Sequence, residues 1–496
     1  MGAIRAALAV ACFIVLTHII YAQVAPPSPR LPLTAAQTAA VDQLVQSELT
    51  RQRIPGLEVG VYSRGRILLA KGYGLADVEL NVPVKPETLM QSGSVGKQFV
   101  SAAIMMLVEE SKLSLDDSIT RYFPDAPAAW KSILIKNLLS HTSGLSEYES
   151  GDRAGPNGPF YLRLDFSEDE LIKKTYGLPI EWSPGTQWGY RNTNYLILGA
   201  LIHKITGQRY DQFLRERIFA PLGMTSTRLI SDRDIVLNRA SGYEIDDSGQ
   251  LKNQEWVSPT FNSTADGALY FNVLDLAKWD EALYTTRLLT QASLDRIWTV
   301  YPLDDGKPNP GNYGFGWDVT QFHGHKLLEH GGAWQGFTCN ISRYPDDSLT
   351  VVVLTNLDSG HSRPGIIAHV VAGQLEPALM PAKLEAIPDN DPTVAASVVA
   401  LLDQLAAGTD IRPQVTPDLA ANITPASSQR VQHMLATLWP GGTLTLVKRQ
   451  PAHDAPGTIV STFRLSKGSD AKLIDYGRNA QGKIAILGIS PDSPWE

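Results

Sequence analysis

The stretch SVGKQFVSAAIMML, residues 94–107, joins a candidate nucleophile to a strongly apolar helical pattern. Its apolar residues recur three and four positions apart, which predicts a buried helix that ends before Leu113. Ser94 would begin this helix, and Lys97 would follow one turn later on the same face. A serine hydroxyl becomes a good nucleophile when a neighbouring base takes its proton, and a lysine can be that base once burial lowers its pKa. The free backbone N–H groups at a helix start also suit a developing oxyanion.

Strand patterns lie on both sides of this helix in the sequence. Residues 57–62 and 67–71 flank the turn pair Arg64-Gly65 and predict a β-hairpin. Three further strands are predicted at 326–330, 337–344 and 349–355, with a mainly helical region between the two groups. The sequence therefore predicts an α/β (α+β) fold, in which an antiparallel sheet closes from both chain ends against helices and a helical lobe. A cleft between sheet and lobe is the expected site.

Prolines at 377, 381, 388 and 392 mark a predicted domain boundary. We divide the chain into a large domain over residues 23–380, a Pro-rich linker over 381–392 and a small α+β domain of unknown role over 393–496. In the small domain, two helical stretches (394–405 and 429–438) precede four strand-like runs that start near residues 443, 458, 472 and 483. It contains no recognisable nucleophile, ligand cluster or phosphate loop.

The first 22 residues have the layout of a secretory signal peptide. One positive charge at Arg5 precedes an apolar stretch over residues 6–21 and the small residue Ala22. A transmembrane anchor is the alternative, but about 20 apolar residues are needed to span a bilayer, and Thr17 and His18 interrupt this shorter stretch. We therefore expect an exported protein, periplasmic or secreted, that contacts a membrane only through this segment if it stays uncleaved.

Composition limits the partners. The chain of 496 residues is 43% hydrophobic and 19% charged, which is typical of a globular protein. A net charge of -8 and the lack of a Lys/Arg-rich run argue against a nucleic-acid partner. After signal cleavage Cys339 would be the sole cysteine, so no internal disulfide is expected. No metal or cofactor is expected either, because His323-Gly324-His325 has no evident carboxylate or cysteine partners.

Tyr190-Arg191-Asn192 is a second candidate element, in a loop before a helical run over residues 195–205. Residues two apart in an extended segment point the same way, so the phenol and the amide could both face the cleft. Tyr190 could then relay a proton to the leaving group, while Asn192 could position the lysine and the substrate carbonyl.

His330-Gly331-Gly332 is a third element, at the end of one predicted strand and before the next. Glycines allow a substrate backbone to approach a strand edge closely, and the N–H of Ala333 could be a second oxyanion donor. Taken singly these patterns are weak, since a glycine pair between strands is a common turn signal. The chain also repeats the first pattern at residues 469–472 (SDAK) and the second at residues 270–272 (YFN).

Residues 94–97, 190–192 and 330–332, in this order, look like the three motifs of the serine β-lactamase and penicillin-binding-protein superfamily. The flanking sequence resembles the class C branch of that superfamily in several places: GYG at 72–74 with Ala76-Asp77, LLSHTSGL at 138–145, WSPG at 182–185, LG at 198–199, PLGM at 221–224 and YGFGW at 313–317. The resemblance covers about residues 34–374, the large domain without the C-terminal one. It implies a β-lactamase-like antiparallel sheet flanked by helices.

The resemblance also implies roles for the site residues. Ser94 would be the acylated nucleophile, Lys97 and Tyr190 would share the base and proton-relay roles, and the N–H groups of Ser94 and Ala333 would bind the oxyanion. The sequence leaves open whether Lys97 or Tyr190 takes the first proton. The branch includes class C β-lactamases, D-Ala-D-Ala carboxypeptidases, D-amino-acid peptidases and esterases, so the resemblance implies a small-molecule or peptide substrate, such as a peptide derived from peptidoglycan.

His330 departs from the lysine that β-lactamases usually have first in the third motif. An unperturbed histidine, with a pKa of about 6.5, is mostly neutral at pH 7. A charged hydrogen bond contributes about 1.5 to 3 kcal/mol, so its loss would weaken a carboxylate anchor about 10- to 100-fold. We therefore expect esters, or amides and D-amino peptides without a free carboxylate, in preference to β-lactams. If His330 is the anchor, β-lactam turnover should improve as the pH falls towards 6.

Two other functions are compatible with parts of the sequence. Residues 92–96 (SGSVG) miss the G-x-S-x-G nucleophile elbow at the first position only. That fold alternates strands and helices throughout, whereas here a hairpin precedes Ser94 and a helical region follows it. The second alternative is a non-catalytic module that binds peptidoglycan or another ligand on the same fold, because a fold alone does not give function.

Overall fold

A seven-stranded antiparallel sheet organises the large domain. This computed structural model describes residues 29–492 except 232, 247, 381–383, 422, 453–457 and 469. The strand order of the sheet is β3-β2-β1-β12-β11-β10-β9. The strands up to the last of this sheet are β1 (Gly56–Ser63), β2 (Arg66–Asp77), β3 (Val82–Pro83), β4 (Met90–Gln91), β5 (Arg228–Leu229), β6 (Tyr243–Ile245), β7 (Leu251–Asn253), β8 (Leu269–Phe271), β9 (Asp318–Phe322), β10 (His325–Trp334), β11 (Phe337–Tyr344) and β12 (Leu349–Thr355). Because β1 pairs with β12, the sheet closes from both chain ends as the sequence predicts.

Helices cover both faces of this sheet. In the large domain they are α1 (Ala35–Gln52), α2 (Lys97–Glu109), α3 (Ile135–Leu139), α4 (Glu168–Thr175), α5 (Asn192–Thr206), α6 (Tyr210–Leu214), α7 (Ala220–Leu222), α8 (Val273–Ala282), α9 (Gln291–Ile297) and α10 (Pro364–Leu375). One hydrophobic cluster joins α1 and α10 to one face of the sheet, and a larger cluster joins the other face to α2, α5 and their neighbours. Burial on both faces explains why β1 and β12 are buried along their whole length. The predicted fold class is confirmed.

Three predicted elements have different bounds in the structure. Helix α2 begins at Lys97, and Ser94 lies just before it in a 3₁₀ turn over Gly93–Gly96. Helix α5 begins at Asn192, three residues earlier than predicted, so Asn192 is its first residue and does not lie in a loop. Strand β10 continues past His330 to Trp334.

The C-terminal region has its own sheet and its own hydrophobic cluster. It contains α11 (Pro392–Ala406), α12 (Pro417–Ala421), α13 (Pro425–Leu438) and an antiparallel sheet of β13 (Thr443–Pro451), β14 (Ile459–Lys467), β15 (Asp470–Arg478) and β16 (Ile484–Pro491). The cluster is formed by residues between Val398 and Ile484, and the preceding segment joins this sheet through the bond from Ile387 N–H to Leu446 O.

Some predictions concern residues outside the described ranges. These are the signal segment over residues 1–22, the linker residues 381–383 and Ser469 of the second SDAK pattern. Among the helices that the structure describes, none combines the length and the apolar character that a membrane crossing requires.

Candidate active site

The turn that carries Ser94 is held between the helical lobe and the edge of the sheet. Strand β4 pairs with β8, and the Ser92 N–H donates to the Leu269 carbonyl at 2.7 Å. On the sheet side, the Cys339 thiol donates to the Ser92 carbonyl at 2.8 Å. A Cβ at Gly93, where φ is +44°, would lie 2.3 Å from the Ala333 nitrogen, so this turn requires glycine. Ser94 therefore faces β10 at close range.

Lys97 lies beside Ser94 in a fully buried position. Its Nζ makes three hydrogen bonds, to Ser94 Oγ at 2.9 Å, Asn192 Oδ1 at 2.8 Å and the Asp266 carbonyl at 2.6 Å. Burial lowers the pKa of Lys97 to about 8, although the charges of Asp266, Glu149 and Glu147 act in the opposite direction. About half of the Lys97 side chains are thus neutral near pH 8. The neutral amine is the form that can accept a proton.

Tyr190 covers Lys97 from the cleft side. The centre of its ring lies 5.1 Å from Lys97 Nζ and 4.2 Å from the ring of His141. Burial raises the pKa of Tyr190 well above its usual value, and the neighbouring Ser94 hydroxyl opposes this shift. Its buried hydroxyl has no hydrogen-bond partner of normal geometry among the described residues. Tyr190 therefore offers an uncommitted phenol next to the serine.

Asn192 connects Lys97 to a group of carboxyls that the sequence analysis does not identify. Its Nδ2 donates to Glu149 Oε2 at 2.8 Å, and its backbone N–H donates to Glu147 Oε2 at 2.6 Å. The first N–H group of a helix has no acceptor within the helix, and at the start of α5 Glu147 is that acceptor. This explains why the helix begins at Asn192. Both Glu147 and Glu149 lie directly after the LLSHTSGL run, but nothing in the local pattern shows that they reach α5.

His330 is buried and fully engaged at the edge of the sheet. Its Nδ1 lies 2.6 Å from the Gly331 carbonyl, which can only accept, so Nδ1 carries a proton and Nε2 accepts from the Tyr313 hydroxyl at 2.8 Å. Burial, followed by the Lys97 charge, lowers the pKa of His330 to about 4. The expectation that His330 becomes cationic near pH 6 is therefore wrong, because desolvation keeps the ring neutral there.

Gly332 and Ala333 lie where β10 becomes the free edge of the sheet, since β9 pairs only with residues 325–329. A Cβ at Gly332 would lie 2.2 Å from the Ser92 carbonyl oxygen and 3.0 Å from the Ser94 nitrogen. The absence of a side chain at Gly332 thus permits the Ser94 turn to pack on this strand. The approach brings the peptide groups of Ser94 and Ala333 into one region, where a substrate carbonyl oxygen could lie.

A cleft of about 640 Å³ opens over these groups, and Ser94, Tyr190, His330, Gly332 and Ala333 all line it. The second Tyr-x-Asn pattern has no part in this cleft. It lies on β8 and at the start of α8, where the Asn272 side chain accepts from the Asp275 N–H and caps the helix. Within the described ranges, no group of three or more His, Cys, Asp or Glu side chains is arranged to hold a metal.

Comparisons with known proteins agree with this geometry. A family model described as Beta-lactamase matches residues 41–375. Penicillin-binding protein 4* of Bacillus subtilis (strain 168) is 29% identical over 312 residues, which cover 59% of this chain and 66% of that protein. The chain thus spans just under two thirds of that relative's own length.

Solved structures show the same fold. The octameric penicillin-binding protein homologue from Pyrococcus abyssi superposes with a TM-score of 0.62 at 21% identity, covering 92% of this chain and 98% of that one. A D-stereospecific amidohydrolase from Streptomyces sp. superposes with a TM-score of 0.53 at 23% identity, covering 64% of this chain and 94% of that one.

Proposed function

The chain belongs to the beta-lactamase family of serine hydrolases, and on this premise we propose that it cleaves an ester or amide through an acyl-enzyme on Ser94. The contact that carries the proposal is the 2.9 Å hydrogen bond between Lys97 Nζ and Ser94 Oγ, within a buried site where the pKa of the lysine falls to about 8. A base in contact with a hydroxyl is the arrangement that nucleophilic catalysis requires.

In the acylation step, Lys97 takes the Ser94 proton as Oγ attacks the substrate carbonyl carbon. Tyr190 is the weaker candidate for this role, because burial raises its pKa and it makes no hydrogen bond of normal geometry to Ser94. It remains protonated and can instead donate to the leaving group, which then departs as the carbon–leaving-group bond breaks. The proton held by Lys97 restores the phenol. The N–H groups of Ser94 and Ala333 stabilise the oxyanion during this step.

The substrate that this site favours has no carboxylate facing His330. A neutral histidine with both ring nitrogens engaged gives such a group no charge to bind. Farther along the cleft wall the charged residues are mixed, with Glu329 paired to His369 at 2.9 Å and the pKa of Asp318 raised to about 7 by burial. Short esters and D-amino amides or peptides therefore fit better than β-lactams, and a D-stereospecific amidohydrolase is among the proteins of similar fold.

Export belongs to the same proposal. Residues 1–22 would direct the chain to the periplasm or the medium, where peptides derived from peptidoglycan are available as substrates. Mass spectrometry of the mature protein should show an N-terminus near residue 23. An intact N-terminus on protein recovered from the cytoplasm would contradict export without affecting the chemistry.

The decisive experiment compares wild type with Ser94→Ala on short-chain aryl esters, a chromogenic cephalosporin and D-Ala-D-Ala peptides. We expect ester turnover that Ser94→Ala abolishes, with slower or no turnover of the D-Ala-D-Ala peptides because they carry a free carboxylate, and a fluorophosphonate adduct on Ser94 in the wild type. Lys97→Ala should also abolish turnover, whereas a nucleophile-elbow hydrolase would only be perturbed. If no substrate class turned over and Ser94 stayed unmodified, the non-catalytic binding module would be the better description.

A further inference from the structure

A second, small cavity adjoins the nucleophile and shares Ser94 and Ala333 with the main cleft. It has a volume of about 30 Å³, and its walls include Ser94, Asn192, Glu149, Asp266 and Trp334. A cavity needs about 10–15 Å³ and two to four polar partners to hold a water molecule. This cavity satisfies both conditions directly beside the serine.

One of the two carboxyl groups in its wall, Glu149 or Asp266, must carry a proton. The Tyr148 hydroxyl lies 2.7 Å from Glu149 Oε1 and 2.8 Å from Asp266 Oδ2. A phenol has one hydrogen and can donate to one carboxylate only, so the other carboxyl must carry a proton and donate to the phenol oxygen. Burial and the charge of Asp266 raise the pKa of Glu149 to about 8, which identifies Glu149 as the protonated partner at neutral pH.

Asp266 then accepts from the Tyr148 hydroxyl through Oδ2, and its other carboxyl oxygen is uncommitted. Its side chain is 5% exposed, and its Oδ1 is buried with no hydrogen-bond partner among the described residues. An unpaired buried carboxylate oxygen is costly unless a donor satisfies it. The backbone of the same residue accepts from Lys97 Nζ at 2.6 Å, which fixes Asp266 close to the catalytic lysine.

We propose that this cavity holds the water that hydrolyses the acyl-enzyme, and that Asp266 is the general base for this step. The inference rests on the proposed acyl-enzyme at Ser94. The water oxygen attacks the acyl carbon while its proton passes to Asp266 Oδ1, and a tetrahedral intermediate forms. When the intermediate collapses, the bond from the acyl carbon to Ser94 Oγ breaks, and Lys97, which is neutral after acylation, takes the water proton from Asp266 and passes a proton to Oγ, so that the Asp266 carboxylate is restored. The products are the free serine and a carboxylic acid.

The test is stopped-flow kinetics of the full chain with a p-nitrophenyl ester. Asp266→Asn should release about one equivalent of p-nitrophenol in a burst and then turn over about 100-fold or more slowly, because general-base catalysis contributes about 10²–10⁴-fold. Mass spectrometry should find the acyl group on Ser94 during the slow phase. Hydroxylamine should restore turnover, because it attacks without a general base, and a merely structural defect would not respond to it.

Glu149→Gln is the matched control. The Gln amide can donate to Tyr148 while its oxygen accepts from Asn192, so it reproduces a protonated Glu149. We expect Glu149→Gln to deacylate much faster than Asp266→Asn, so that no acyl group accumulates on Ser94. Loss of deacylation in Glu149→Gln with none in Asp266→Asn would overturn the assignment to Asp266.

Thr264→Met provides a second route should Asp266→Asn fold poorly. Thr264 lines the cavity, and a methionine there would fill the water position without removing any charge. It should slow deacylation and spare the burst. Deacylation at the wild-type rate in both Asp266→Asn and Thr264→Met, with acylation of Ser94 intact, would refute the water site alone. Absence of any Ser94 adduct in the wild type would instead refute the proposed function.

A cationic group of the substrate is the competing occupant. Esters with a free and with an acetylated α-amino group distinguish the two, since a water site predicts similar kcat/KM for both. A preference for the free amine that disappears in Asp266→Asn would overturn the water site in favour of an ammonium pocket.

Discussion

Lys97 illustrates how far burial can alter one residue. Removing the ammonium from water disfavours its charged form, and the three acceptors around Nζ together with the nearby carboxyls only partly compensate. His330 is affected in the same direction, so both basic side chains beside Ser94 are easier to deprotonate than in water. The site is consequently suited to taking a proton from the serine and poorly suited to holding an anion.

The pH dependence of acylation should follow Lys97. Because the neutral amine is the active form and the pKa is about 8, kcat/KM should increase with pH and reach a plateau above pH 8. The measurement is kcat/KM for a neutral aryl ester between pH 5 and 10. His330→Asn is the control, and it should leave the midpoint unchanged since His330 does not titrate above about pH 4. A midpoint near pH 6.5 that this substitution removed would contradict our assignment.

At the level of elements, a buried ion pair fastens β11 to α8. Arg343 Nε lies 2.8 Å from Asp280 Oδ1, and the two side chains are 1% and 0% exposed. The same carboxylate also accepts from Thr350 on β12 and from the Gly65 N–H in the first hairpin turn. One carboxylate on α8 thus connects three parts of the sheet that the sequence separates widely.

Breaking this pair should destabilise the large domain strongly. Arg343→Met leaves the Asp280 charge buried without its cation, a change that costs about 3–5 kcal/mol. Urea unfolding of the large domain should detect it as a lower free energy of unfolding. Arg121→Met is the matched control, because the Arg121 side chain is 65% exposed in its ion pair with Asp117. Little change in the free energy of unfolding is expected there. Equal effects of the two substitutions would show that the buried pair has no special role.

The whole molecule contains hydrophobic clusters that do not share residues. The two clusters of the large domain extend up to Leu379, whereas the C-terminal cluster begins at Val398. The segment before α11 contacts the C-terminal sheet through Ile387. The division into residues 23–380, a linker over 381–392 and a C-terminal domain over 393–496 stays a prediction.

Residues 23–380 should fold and act without the C-terminal region. The active-site residues and both supporting clusters lie within this range, so its kcat/KM for an aryl ester should match that of the full chain. Kinetics and circular dichroism of the shortened protein test this expectation. An inactive or unfolded product would show that the C-terminal region supports the catalytic domain and that the predicted boundary is misplaced.

Local patterns in the sequence were sufficient for the elements that are stabilised locally. Helical periodicity after Ser94 and turn residues in the first hairpin predict the helical lobe and the sheet. Such patterns depend on neighbours a few residues apart, which a single sequence displays directly. The four strands of the C-terminal region were predicted from the same kind of signal.

Tertiary structure alone decided the properties that depend on distant contacts. Helix α5 begins at Asn192 because Glu147, 45 residues earlier, accepts its N–H. The carboxyl cluster exists because Tyr148 meets Asp266, 118 residues later. His330 stays neutral even near pH 6 because burial and the Lys97 charge lower its pKa. Desolvation and proton sharing arise from what surrounds a group in space, and for these residues the surroundings come from chain segments far apart in sequence.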